Sequence, residues 1–137
     1  MKLPVLFIGH GSPLNAIRDS AYTEEWQNYG DELLDEYDGE IESILCISSQ
    51  WQTEGTRVTS AGQPSTLHDF DDFPDELYRI NYPAEGNPEL AARIVGLLGE
   101  EQAAADPQRG LDYSAWAVLK RLIPITKIGR ASCRERV

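Results

Sequence analysis

Apolar residues along the chain fall into short unbroken runs and longer periodic ones. Pro4 to Ile8 is wholly apolar and stops at Gly9, the pattern of a strand buried on both faces. Ser43 to Ser49, built on Ile44-Leu45-Cys46-Ile47, reads as a second buried strand. Thr56 to Ser60 is a third and weaker one, with β-branched Thr56, Val58 and Thr59. Between the first two runs the period changes to three and four. Tyr22, Trp26, Tyr29, Leu33 and Tyr37 predict the buried stripe of a helix capped by Asp19 or Ser20, with Gly30 as an interruption. Pro88 opens a further helix with Leu90, Ile94, Leu97 and Leu98 on one face. A last helix is expected from about Ser114 to Ile123, with Ala115, Val118, Leu119 and Leu122 inward and Pro124 ending it. Residues 61–75, rich in Gly, Pro and Asp, read as a long loop of the kind that is more often functional than idle.

Strand–helix–strand alternation predicts an α/β fold in three layers, a mostly parallel sheet flanked by helices. Sites in such folds lie beyond the carboxyl ends of the strands, where His10 and Gln50 fall. The 137 residues suffice for one domain with its own core, and 41% of them are hydrophobic, which argues against disorder. A net charge of −11 argues against binding nucleic acid or an anionic membrane surface. The first apolar run is too short for a signal segment or a membrane span, so a cytoplasmic location is the expectation. Cys46 is expected as a buried free thiol, and with only Cys133 besides there is no disulfide framework or zinc knuckle.

The end of the chain differs in character. Residues 128–137 have no apolar period and carry three Arg and one Glu. The string resembles the translation of a sequencing-library adapter, with Lys127 at the junction. Residues 1–126 are therefore read as the N-terminal part of an α/β domain, and 127–137 as a non-native tail. A sheet truncated in this way is expected to expose apolar surface and to associate.

The chemistry gathers at Gly9-His10-Gly11-Ser12-Pro13. An imidazole at a strand end is rigidly held, and the glycine after it lets a substrate approach. From this motif alone, a metal ligand and a loop histidine bonded to backbone stand level. The wider pattern separates them. Residues 7–16, Trp51 with Gly55-Thr56-Arg57-Val58-Thr59, Thr66-Leu67-His68-Asp69-Phe70, Phe73-Pro74, Leu77-Tyr78, Tyr82-Pro83-Ala84, and Gly110-Leu111-Asp112 with Ala115-Trp116 and Val118-Leu119 follow one order and spacing. In these the chain resembles the DOPA extradiol dioxygenase-like proteins, relatives of the LigB class, over their N-terminal half.

The resemblance implies a mononuclear Fe(II) or Zn(II) centre that opens the ring of a catechol-type aromatic diol with O2. Such an ion leaves positions open for substrate and oxygen and lowers the pKa of a bound hydroxyl. It implies His10 as a metal ligand, Ser12 and His68 as substrate-binding, and His68 also as a catalytic group. Two departures follow. The family's second metal-ligand histidine is Gln50 here, a neutral amide and a poor ligand for either metal. A second family histidine, acting on the substrate, is Tyr113, a weak base at neutral pH. Ser49 and Ser114 beside them differ too, and Asp72 stands where the family has a glycine. The family's remaining ligands are expected in the half not matched. The expected activity is therefore weak or absent. Two alternatives are a tetrapyrrole metal chelatase, which shares Gly-His-Gly-Ser after its first strand, and a non-catalytic α/β binding domain that has lost its metal. Trp26, Trp51 and Trp116 are read as core or pocket wall, and Asp31, Glu32, Asp35, Glu36, Asp71 and Asp72 as solvated acids.

Overall fold

The structure, a computed structural model, describes residues 2–125. The proposed tail, 127–137, lies outside them. Its elements are a 3-10 turn Pro13–Ala16, helix α1 Ala21–Glu36, strand β1 Thr56–Thr59, a single turn of helix α2 Asp75–Tyr78, helix α3 Pro88–Leu98, strand β2 Ala103–Asp106 and helix α4 Tyr113–Leu122. β1 and β2 pair in parallel, Thr56 opposite Ala103 and Thr59 opposite Asp106. α3 forms the crossover and packs on both strands. The α/β class with a parallel sheet and flanking helices is as the sequence predicts.

α4 is the centre of the core. Ala115, Val118, Leu119 and Leu122 point inward as their spacing predicts, and Trp116 has 0% exposure. Tyr82, Leu77 and Ala16 close around it. The indole nitrogen of Trp116 donates to Leu67 O at 2.8 Å, which removes the cost of burying that polar group. The loop 61–75 is less free than its composition implies. Thr66 bridges Leu111 in parallel, Leu111 N donates to Ser65 O at 2.7 Å and Leu67 N to Leu111 O at 2.8 Å.

α1 starts where expected, at a Ser20 cap. Thr23 N donates to Ser20 Oγ at 3.3 Å and Ser20 N donates to Thr23 Oγ1 at 2.9 Å. Its buried stripe is different. Thr23, Gly30 and Leu33 are buried, whereas Tyr22 is 76% exposed and Tyr29 is also exposed. The steps 23, 26, 30, 33 and 37 are as periodic as those chosen from the aromatics. What selects between them is α4, which passes so close that a Cβ on Gly30 would lie 1.7 Å from Leu122 O. The glycine read as an interruption is the crossing point of two helices.

Three further expectations are corrected. The runs 4–8 and 43–49 form no named strand among the described residues, although Ser43 carries an isolated bridge. Val5 is 97% and Ile47 91% exposed, whereas Ile44 packs partly buried against the core. β2 was not foreseen, because its Ala103-Ala104-Ala105 has neither alternation nor β-branching. On α3 only Ala91 is buried, and Leu97 and Leu98 are exposed. Cys46 is exposed as a residue, not buried. Its thiol is nevertheless partly desolvated, which together with the Asp112 charge pushes its pKa up. No helix among the described residues is long and apolar enough to cross a membrane.

Candidate functional site

His10 follows the first extended run and precedes the 3-10 turn. Ser12 caps that turn, its Oγ accepting from Leu14 N at 3.2 Å. The turn is tied to the far end of α4. Lys120 Nζ donates to Ala16 O at 2.8 Å. Arg121, itself buried, donates from Nε to Asn15 O at 3.0 Å, from Nη2 to Arg18 O at 3.1 Å and from Nη1 to Asp19 Oδ1 at 2.9 Å. Desolvation first, and the neighbouring Arg121 charge second, lower the Lys120 pKa.

The start of α4 faces the same place. Tyr113 sets its ring edge-on to His10, with centroids 5.5 Å apart, and edge-on to Phe70 at 5.9 Å. Phe70 continues to His68 at 6.1 Å and to Trp116 at 6.2 Å, and His68 lies 5.6 Å from Trp116. Tyr113 and Trp116 share one face of α4 because they are three residues apart. The sequence-predicted residues His10, Tyr113 and His68 thus belong to one run of rings, with Phe70 and Trp116 between. His68 Nε2 is committed to Ile80 O at 2.7 Å.

Gln50 is placed differently. It is exposed, and its backbone N–H donates to Ser48 Oγ at 3.0 Å. Ser48 belongs to a buried polar cluster that sequence reasoning missed. Asp112, 2% exposed, accepts from Ser48 Oγ and Ser114 Oγ at 2.6 Å each and from Arg109 Nη2 at 2.9 Å. The Arg109 guanidinium lies 5.1 Å from the centroid of Trp51. The charge of Asp112 sits at the N-terminal end of α4, where the helix dipole favours it. Its place directly before Tyr113 was the available signal. An open cleft of 640 Å³ lies between residues 44–48, β1 and α3, and none of His10, Gln50, His68 or Tyr113 lines it.

The described residues do not by themselves supply the donors of a mononuclear Fe(II) or Zn(II) centre. Among the described residues no three His, Cys, Asp or Glu side chains converge as a metal site. His10 Nε2 faces Ser49 Oγ at 3.0 Å, and Gln50 offers only a neutral amide.

Fold and site together define an α/β domain whose histidine turn and aromatic wall are gathered by one helix, α4. The profile of the family described as the catalytic LigB subunit of aromatic ring-opening dioxygenase matches residues 4–132. The 4,5-DOPA dioxygenase extradiol of Escherichia coli (strain K12) is 41% identical over 124 residues, covering 90% of this chain and 44% of that protein. The protein of the same name from Beta vulgaris is 37% identical, covering 86% and 44%. A solved structure of an uncharacterized protein from Escherichia coli K12 superposes with a TM-score of 0.57 at 33% identity, over 80% of this chain and 38% of that one. The chain belongs to the LigB family. It spans less than half the length of these relatives.

Proposed function

We propose that the chain carries the first part of an extradiol-type ring-opening centre for a catechol-type aromatic diol and O2, with weak or no activity of its own. The observation that carries this reading is the turn bearing His10, held beside Tyr113 and the ring wall in a member of the LigB family. In this reading Phe70 and Trp116 give an apolar wall for an aromatic ring. Tyr113 donates a hydrogen bond to a substrate hydroxyl but is too weak a base to take its proton. His68 has one ring nitrogen committed to backbone, so it orients the wall and its second nitrogen alone is left for substrate. Ser12, whose hydroxyl caps its own turn, reaches substrate through its remaining hydrogen-bonding capacity. Fe(II) or Zn(II) does not fit the described donors, and no step is derived through either.

Anaerobic titration of the purified chain with Fe(II) and with Zn(II), followed by DOPA and oxygen uptake, tests this. The expected result is weak binding and no more than trace uptake. Tight stoichiometric binding, or turnover at the level of a complete enzyme, would overturn the donor assignment. A second reading, a binding domain that has lost its metal, is favoured by the contact between Ser49 and His10. It predicts that 4-nitrocatechol, a coloured catechol, binds the metal-free chain with no gain on adding metal.

A further inference from the structure

The two histidines of the chain make opposite ring contacts. His10 Nδ1 lies 2.8 Å from Gly11 O and its Nε2 lies 3.0 Å from Ser49 Oγ. A carbonyl oxygen only accepts, so Nδ1 carries the hydrogen and, in a neutral ring, Nε2 is the acceptor. The Ser49 hydroxyl, which can rotate, donates to it. His68 Nε2 lies 2.7 Å from Ile80 O, so His68 carries its hydrogen on Nε2. Free histidine in water prefers the hydrogen on Nε2. His68 needs no special explanation, whereas His10 does.

We propose that Asn15 is a positioning residue that holds His10 in its less common tautomer, with Nε2 kept as an acceptor toward Ser49. Asn15 Nδ2 donates to His10 O at 3.0 Å, and Asn15 O is fixed from the other side by Arg121 Nε. The turn is closed so tightly on this side chain that a Cβ on Gly11 would lie 2.8 Å from Asn15 Nδ2. Gly11 takes a φ of +63°, a conformation natural to glycine, and this aims its carbonyl back at the His10 ring. A series of contacts therefore runs from α4 through Arg121 and Asn15 to the backbone of His10 and Gly11, and ends on Nδ1. Ser49 contacts the opposite nitrogen and responds to the tautomer instead of setting it. This inference concerns the nitrogen that His10 offers, and it stands whether or not the chain cleaves a catechol.

Long-range proton–nitrogen correlation spectra of the 15N-labelled chain at about pH 8.5, above the ordinary imidazole range, read both tautomers directly. The wild-type chain is expected to show one ring of each kind. Asn15→Ala and the isosteric Asn15→Asp, which lacks the donor, are expected to lose the Nδ1–H pattern of His10. His68 keeps its own pattern in both and reports that the fold is intact. Ser49→Ala is expected to leave the tautomer of His10 unchanged. Two Nε2–H rings in the wild-type spectrum would overturn the proposal. So would an unchanged His10 in both Asn15 variants, or loss of the pattern in Ser49→Ala. Collapse of both histidine patterns in each Asn15 variant would overturn it too, because Asn15 would then hold the fold and not this ring.

Discussion

The sequence marks the inward face of α4 and the apolar runs 4–8 and 43–49 alike as buried, and their fates differ. On α4, residues 115–119 are buried and both ends of the helix hold loops by hydrogen bonds. In the extended runs, Val5, Phe7 and Ile47 are almost wholly exposed. A helix satisfies its own backbone and needs only a packing partner for one face. A strand needs neighbours for its backbone as well as for its side chains, and these runs lack a ladder, although Ile44 packs against the core and Ser48 donates to Asp112. Ring contacts, helix ends and the buried Asp112 sit on the α4 side, and the second run adds only the contacts of Ser48 to Asp112 and of Ser49 to His10.

The contrast is broken most directly by matched truncations. Trp116→Ala is expected to cost about 3–5 kcal/mol, enough to unfold a marginal domain. Phe7→Ala is expected to change stability by no more than about 0.5 kcal/mol, while reducing association. Urea unfolding with sizing chromatography checks both. Equal losses would show that the extended runs are packed in solution. Gly30→Ala probes the crossing of α1 and α4. Because its new methyl would meet backbone, a loss of about 1–3 kcal/mol is expected by the same measurement.

A smaller effect, of opposite sign, belongs to the loop above α4. Asp72 has a φ of +62°, the left-handed region that costs a residue with a Cβ about 1 kcal/mol. Asp72→Gly is expected to raise stability by about 0.5 kcal/mol, the relief being partly offset by the greater freedom of glycine when unfolded. Thermal unfolding decides, and a loss on substitution would mean that the Asp72 side chain supports the turn. The smallest effect lies in the other region. The Cys46 pKa is raised, chiefly by desolvation, so its thiol stays protonated where a free thiol ionises. A raised folded value contributes stability that is present below the unfolded pKa and lost as pH rises through the folded one. Alkylation of Cys46 by iodoacetamide, followed by peptide mass spectrometry, should be slower at about pH 8 than that of a model thiol. An equal rate would show that the thiol is fully in water.

The legible parts of this protein were those decided locally. The Ser20 cap and the α3 start at Pro88 rest on interactions within a few residues, and the inward face of α4 shows in its own apolar spacing, so their pattern survives in one dimension. The turn of Gly9 to Pro13 was legible for the same reason, and with the wider series of motifs it placed the chain in its family. Tyr22 and Tyr29 misled because an aromatic residue signals burial only when something packs against it. Gly30 was misread because the close approach of Leu122 is invisible in the residues beside it. The Asp112 cluster joins residues 48, 109, 112 and 114, and no local period announces a contact across 64 positions.

Sequence alone determined which segments could be helical or extended, where helices begin and the lineage that the His10 turn marks. Local backbone preferences and short-range hydrogen bonds carry that information. Tertiary structure decided which face of α1 is buried, that the apolar runs 4–8 and 43–49 form no named strand, and that His10, Tyr113 and His68 meet along one wall of rings. Those outcomes depend on which distant surface packs at contact distance, and for α1 and the ring wall that surface is α4.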